Sequence, residues 1–428
     1  MLLSILSLRN YLRNKELLNT ILFSAASCIS LFGTAIYNFA IGLYVLKLTG
    51  SGLSFAGTLA ISIISIILVN PFAGVLADRL DKKLLAIITD MLNGLLLIGL
   101  YMLAREYPLN VSMIYVSTFL LNVFTTVYGI SIEAAKSNLV LEKKLISMNS
   151  INKVIESSSS ILGPVIGGGV FTFLDIKVFI VINSFSFIIS ALLQLLMDFK
   201  FNCSDYGKKK EDINFVTDII EGITYLRTKR EILNIAKVYV ALNFCIGLSI
   251  NAPMPYIINN VLKLDTRLFG IIEAALPIGM ILGAIMIKGI MSKYLYGKIV
   301  KSANILLSVS MAAIGFSVIL HYEVDNKIFY LIYFILIMIS IGAAISSIDI
   351  PIFYVLQQDI PEEFRGRIIS IVVSMAKIIL LAALIISGAL INIIPTYILP
   401  IAGGAGLCIF SFEKYSNLLD CDLNSTIR

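Results

Sequence analysis

Roughly twelve apolar runs of about 20 residues follow one another along this chain, and that is the length that crosses the hydrocarbon core of a bilayer as a helix. They centre near Ser30, Ile64, Leu95, Phe119, Val165, Phe187, Cys245, Gly279, Val309, Ile337, Leu381 and Gly404. Hydrophobic residues make up 58% of the 428, and the mean hydropathy is +0.93. A soluble chain of this size cannot bury so much apolar surface. The sequence therefore describes an all-α membrane protein that crosses the bilayer many times.

An even number of spans puts both termini on one side, and Lys and Arg decide which. With Leu2–Leu18 taken as inside, the outer loops hold only Lys47, Arg105, Lys177, Lys263, Arg267 and Lys327, and Lys377 falls within a span. The other basic residues, out of 33, lie on the inner side, so both termini are expected in the cytoplasm. The net charge of +6 follows from this asymmetry and calls for no nucleic acid. The first apolar run is too long for a signal-peptide core and no small-residue cleavage site ends it. Cys28, Cys203, Cys245, Cys408 and Cys421 form no disulfide or metal spacing, and the single His321 excludes a His-rich metal site. There is no Walker loop, no Gly-x-Ser-x-Gly elbow and no metal-ligand cluster. No enzyme chemistry and no cofactor is expected, so transport energy would come from an ion gradient or from the substrate.

One long polar stretch divides the chain into residues 1–198, a linker 199–237 and residues 238–428. It begins with loop-like Cys203–Lys210. It continues with Ile213, Val216, Ile219, Ile220, Ile223 and Leu226 at helical spacing, opposite Asp212, Asp218, Glu221, Arg227 and Lys229. That pattern predicts an amphipathic helix, lying on the inner membrane surface or under the bundle, or solvated as a linker. The two halves share a faint likeness. Gly74 to Lys83 follows span two, and Gly283 to Lys298 follows span eight, each with glycine at the helix end and basic residues after it. Two six-helix halves with a substrate site between them at mid-membrane is a known transporter plan.

Three segments carry finer information. Gly74-Val-Leu-Ala-Asp78-Arg79-Leu-Asp81-Lys82-Lys83 is a charged loop so short that spans two and three must turn tightly. Gly74 permits close helix packing, and Asp78 can face the positive N-terminal end of another helix. Span five contains Gly163-Pro164-Val-Ile-Gly167-Gly168, where proline kinks the helix and glycines let it lie against a neighbour across the two-half interface. Before span eleven comes Pro361-Glu362-Glu363-Phe-Arg365-Gly366-Arg367, suited to the first turn of a helix.

These segments resemble the major facilitator superfamily of transporters. The first is similar to its loop between helices 2 and 3, with Asp81 in place of the family's second glycine. The second is similar to the span-five motif of its exporters, and the third to its loop between spans ten and eleven. With the linker's Gly222-x-x-Tyr225-Leu226-x-x-x-Arg230, they look most like its macrolide-efflux and siderophore-exporter branch. The resemblance implies two six-helix bundles with a conformational switch at Gly74, Asp78, Arg79, Lys82, Lys83, Arg365, Gly366 and Arg367. It implies an exporter motif at Gly163, Pro164, Gly167 and Gly168. The mid-span-four Arg of many proton-coupled relatives is absent here, where Leu120 to Gly129 carries no charge.

Few charges lie within spans. Asp90, Glu133, Glu156 and Asp349 fall within about two turns of helix ends, where reaching water or pairing with loop cations is expected. Lys377, about 15 Å into span eleven, and Glu273, about 9 Å into span eight, approach from opposite sides. They are read as an ion pair or a protonation switch, and with Glu133 they are the candidates for proton coupling. Asn38, Asn122, Tyr128, Asn243 and Phe244 suit a cavity for an amphipathic, largely uncharged ligand. Pro253 and Pro255 are expected to bend span seven.

The expected function is export of a small lipophilic, macrolide-like drug or metabolite from the cytoplasm or inner leaflet, by proton antiport with alternating access. The expected setting is a monomer in the bilayer of a bacterial cell membrane. Two alternatives stay open. One is an exporter dedicated to an endogenous siderophore, peptide or self-made antibiotic, and the other is a membrane sensor that binds without translocating.

Overall fold

The computed structural model describes residues 2–49, 52–202, 214–251, 253–264, 266–320, 326–391 and 393–418. Cys203–Lys210, Asp212, Ile213, His321 and Cys421 lie outside the described residues. Among the described residues the chain is helical, without a strand. Six long helices come first: α1 (Leu2–Thr49), α2 (Gly52–Arg79), α3 (Lys82–Glu106), α4 (Val111–Leu139), α5 (Glu142–Phe173) and α6 (Ile176–Leu196). A short helix α7 (Phe215–Thr228) precedes α8 (Arg230–Ile246), α9 (Pro253–Tyr256) and α10 (Thr266–Met291). Then follow α11 (Tyr296–Leu320), α12 (Lys327–Asp359), α13 (Glu362–Leu390) and α14 (Ile398–Leu418).

Eleven of the twelve apolar runs fall in one of these long helices, and the run centred near Cys245 extends from α8 to Tyr256. Ten helices are long and apolar enough to cross a membrane among the described residues. The other two runs lie in α5, whose first turns are polar, and in α14, whose apolar part is the shorter stretch Ile398–Ser411.

Loops are short because side chains cap the helices. Asp81 starts α3 by accepting the backbone N–H groups of Lys83 (2.8 Å) and Leu84 (3.2 Å). This gives a physical role to the residue that departs from the family pattern. Asn110 caps α4 and Asp175 caps α6 in the same way. Pro71, Pro164, Pro277 and Pro351 lie within continuous helices. Span seven is less regular. Instead of a simple bend at Pro253 and Pro255, π-helical turns at Gly247–Asn251 and Ile257–Val261 flank α9. Proline cannot donate its missing N–H, and wide turns re-route the neighbouring bonds.

The chain forms two compact units. The first is Met1–Tyr225 with Val355–Ile371, and the second is Leu226–Tyr354 with Val372–Arg428. In the first, α1 packs on α5 and α6, α2 on α4, and α3 on α4 and α6. Its core includes Tyr37, Ile41, Leu97, Leu121, Phe179 and Phe187, and the Tyr37 phenol meets Ser117 Oγ at 3.0 Å. Lipid tails are as apolar as leucine, so such helices associate through close packing and polar bonds rather than by burying oil. Leu95, Met102, Val116, Ile182, Phe185 and Ile189 accordingly stay exposed. In the second unit α14 packs on α8 and α11. There Ser346 donates to the Met280 carbonyl (2.8 Å) and Ser387 to that of Leu248 (3.1 Å).

Candidate functional site

The end of α2 carries Asp78 into the interior of the first unit, where its side chain is fully buried. One carboxylate oxygen accepts the backbone N–H of Gly366 (2.6 Å), and the other accepts that of Arg367 (2.8 Å) and its Nε (3.3 Å). The sequence pointed Asp78 at the positive end of a helix. The contact is closer than a dipole argument implies, because the acid bonds directly to two amides in the second turn of α13. Backbones must nearly touch for this. A Cβ on Gly74 would lie 2.7 Å from the Gly366 carbonyl oxygen, and one on Gly366 would lie 2.7 Å from the Gly74 carbonyl.

Arg367 extends the network. Its Nη1 reaches Glu221 Oε2 (2.9 Å) and Asp218 Oδ1 (3.2 Å), both on α7. Arg79 grips the same aspartate, through Nε to Oδ2 (3.2 Å) and Nη2 to Oδ1. Asp218 is therefore buried between two guanidinium groups. In the sequence Asp218 lay on the polar face of α7, with what that face meets left open. The acidic face docks inward, with Tyr225 stacked on Phe364 at 5.0 Å, while Val216 and Ile220 point outward. Asp218 as a ligand of Arg79 and Arg367 was not legible in the sequence. Amphipathic spacing shows which residues share a face, but not which face meets the protein.

A second cluster adjoins the first. Lys82 Nζ and Asn138 Nδ2 both donate to Glu362 Oε1, at 2.9 and 2.8 Å. Arg365 lies beside them, its Nη1 on Asn138 Oδ1 (3.3 Å) and its Nη2 on the Ile360 carbonyl (3.2 Å). Deeper in, four residues close a ring. Lys136 Nζ bonds Glu133 Oε2 (2.7 Å) and Asn149 Oδ1 (3.1 Å), Asn149 Nδ2 donates to Gln357 Oε1 (2.8 Å), and Gln357 Nε2 donates to Glu133 Oε1 (2.6 Å). Every donor in this ring meets an acceptor, which is the condition for keeping charge inside a protein. A cavity of about 660 Å³ opens beside these clusters, lined by Asn138, Glu142, Gln357, Glu362, Glu363 and Arg365 among others.

Other candidates fall elsewhere. Lys83 donates to the carbonyls of Leu195 (2.7 Å) and Met197 (2.8 Å), capping the C-terminus of α6. Gly163 and Gly167 face α1. A Cβ on Gly163 would sit 2.7 Å from that of Ala35, and one on Gly167 would sit 3.2 Å from the Ile36 carbonyl. A close partner of span five is thus α1, within the first unit. Pro164 lies between them inside α5, and a Cβ on Gly168 would lie 3.9 Å from the Phe39 ring.

Asn122 donates to Ser62 Oγ (3.1 Å) and Asn38 Oδ1 (3.4 Å), joining α4, α2 and α1. Tyr128 is buried beside Ser27 and within electrostatic reach of Asp90. Asn243, in the second unit, bonds its own helix at the Tyr239 carbonyl (2.9 Å), and Phe244 is half-buried. Glu273 and Lys377 are both exposed on their helices, and Glu273 makes no ion pair or hydrogen bond among the described residues. The acids expected to reach water divide. Glu156 is exposed and pairs with Lys153 at 3.7 Å, but Asp90 and Asp349 are buried, because neighbouring helices cover the ends of their spans.

The family model of the Major Facilitator Superfamily matches residues 23–384. This chain belongs to the major facilitator superfamily. Macrolide efflux protein A of Streptococcus pyogenes is 22% identical over 368 residues, covering 85% of this chain and 87% of that one. Its namesake in Enterococcus faecalis is 22% identical over 316 residues, covering 72% and 92%. Two solved structures share the superfamily fold. A bacterial homologue of the iron transporter ferroportin superposes with a TM-score of 0.71 at 13% identity, covering 93% of this chain and 99% of that one. The proton:xylose symporter XylE superposes with a TM-score of 0.69 at 12% identity, covering 94% and 96%. This superfamily member is a multi-pass membrane transporter and not an enzyme.

Proposed function

We propose that the protein exports a lipophilic, macrolide-like compound from the cytoplasm or inner leaflet of a bacterial cell membrane, as a monomer, by proton antiport with alternating access. Both termini are assigned to the cytoplasm by the asymmetry of Lys and Arg. Two six-helix halves, 1–198 and 238–428, are joined by the linker 199–237, whose outward Val216 and Ile220 are assigned to lipid. The observation that carries the mechanism is the bond of Asp78 to the amides of Gly366 and Arg367. Segment Val355–Ile371 belongs with the first unit, yet the chain on either side of it belongs to the second. A site that opens to each side in turn must make and break this attachment once per cycle.

The direction and class of substrate draw support from two macrolide efflux relatives and from the Gly163-Pro164-x-x-Gly167-Gly168 motif. Asn38, Asn122, Tyr128, Asn243 and Phe244 remain the assigned lining of the substrate path. The test is erythromycin accumulation in an efflux-deficient bacterial host. Expression should lower steady-state erythromycin, and a protonophore should restore it. Equal accumulation with and without the protein would remove macrolides from its substrates. Lower accumulation that persists with the protonophore would remove proton coupling.

A further inference from the structure

Inside the helices of the first unit, away from the networks above, Asp90 of α3 is completely buried. Its Oδ1 accepts the Ser30 hydroxyl of α1 (3.1 Å), and its Oδ2 accepts the Ser190 hydroxyl (2.6 Å) and Gln194 Nε2 (2.7 Å) of α6. All three donors are neutral. The titratable group that faces it from α4 is Tyr128, and among the described residues no Lys or Arg bonds to it. An acid in such a place is rare among membrane helices, and such residues mark proton relays and ion paths.

A second observation concerns what surrounds the acid. Gln194 Oε1 is buried without a partner among the described residues. With Asp90 ionised, the amide donates through Nε2 to Oδ2, as seen. With Asp90 neutral, the new O–H needs an acceptor, and a half-turn of the same amide would bring Oε1 to that place. The site can thus bond either form of the acid by turning one side chain, without moving a helix.

We propose that Asp90 is a proton-binding site of the first unit, with Gln194 the amide that turns to bond its ionised or its neutral form. The proton adds to Oδ2 and is shared with Gln194 Oε1. On release, Nε2 returns and donates to the bare carboxylate. The link from this site to substrate movement rests on the antiport reading; proton binding itself does not.

The test uses the full protein in proteoliposomes. Infrared difference spectra between alkaline and acidic buffer should show a protonated-carboxyl C=O band that shifts with isotopically labelled aspartate and is missing in Asp90→Asn. Gln194→Leu keeps the acid but removes the acceptor, so the band should persist at the frequency of a weaker hydrogen bond. In parallel, a proton gradient should drive erythromycin into inside-out vesicles with the wild type. In Asp90→Asn that accumulation should be lost while downhill exchange remains. A wild-type band without gradient-driven erythromycin uptake would overturn the antiport reading and leave the proton site standing. An unchanged band in Asp90→Asn would overturn the site, as would a wild-type protein with no titrating aspartate band. An unchanged band in Gln194→Leu would overturn the turning amide.

Discussion

Asp78 and Gly366 can be this close only because Gly366 has no side chain: the carboxylate oxygen lies 2.6 Å from the glycine nitrogen, and a Cβ built there would sit 2.7 Å from the same oxygen. The two residues therefore form one device. Hydrogen bonds to a charged group contribute about 1.5–3 kcal/mol, a shift of roughly ten- to a hundredfold in a two-state balance. Asp78→Asn should cut turnover by about that factor while leaving equilibrium erythromycin binding nearly intact. Gly366→Ala should do the same, and the double variant should be little worse than either. Wild-type efflux rates in Asp78→Asn would sink this account.

Asp218 holds two arginines at once. Removing its charge takes from Arg79 and Arg367 an acid that they share, and breaking a buried pair costs about 3–5 kcal/mol. In Asp218→Asn, α7 should detach, and trypsin should cleave faster near Arg227 and Lys229. Replacing Arg79 by Leu as well should recover part of the loss, since it removes one of the two cations that Asp218 neutralises. Equal trypsin sensitivity of wild type and Asp218→Asn would show that α7 is held by packing alone.

The ring through Gln357 predicts a dependence on pH. Gln357→Leu leaves Glu133 Oε1 and the Asn149 amide short of a partner, at about 1–3 kcal/mol for each buried group, and should lower the melting temperature in detergent. Gln357→Glu should be worse at neutral pH, because it sets a second carboxylate against Glu133. That excess should shrink as pH falls and the pair takes up a proton. The sign is the check: an excess that grows on acidification would mean that Glu133 does not face position 357.

Gly167→Leu should act through α1. Its Cβ would meet the Ile36 carbonyl at 3.2 Å and Phe39 at 3.1 Å, so a branched side chain must push α1 and α5 apart. Normal membrane insertion with slowed or leaky transport is expected. Shortening the obstacle with Phe39→Ala should restore part of the rate. Full transport by Gly167→Leu alone would mean that this crossing has slack.

The helices were legible because long apolar runs, proline and glycine act locally. Asp81 shows both the reach and the end of such reading. Its place between two runs marked a tight turn, while its role as the cap of α3 needed the backbone. The switch motif named Asp78, Gly366 and Arg367, since family resemblance carries a contact that spacing cannot. Asp218, Asn138, Asn149 and Gln357 were invisible as a network. Most of their bonds join residues more than a hundred positions apart, and a polar residue in a sequence does not say what it meets. Asp90 looked like an acid near a helix end, and only the packing of α1, α4 and α6 around it put it out of reach of water.

The separation of Asn149 from Gln357 by 208 positions also bears on how the chain is made. At roughly 5–20 residues per second, a ribosome needs about 10–40 s to reach Gln357 after Asn149 has emerged. Throughout that interval Asp78, Glu133 and Asn149 have been synthesised without the segment that completes their bonds. The newborn first helices must carry incomplete charge clusters at the membrane while the remainder is translated. A chain stalled before Val355 should therefore be a better client of insertion chaperones and quality-control proteases than one released just after Ile371.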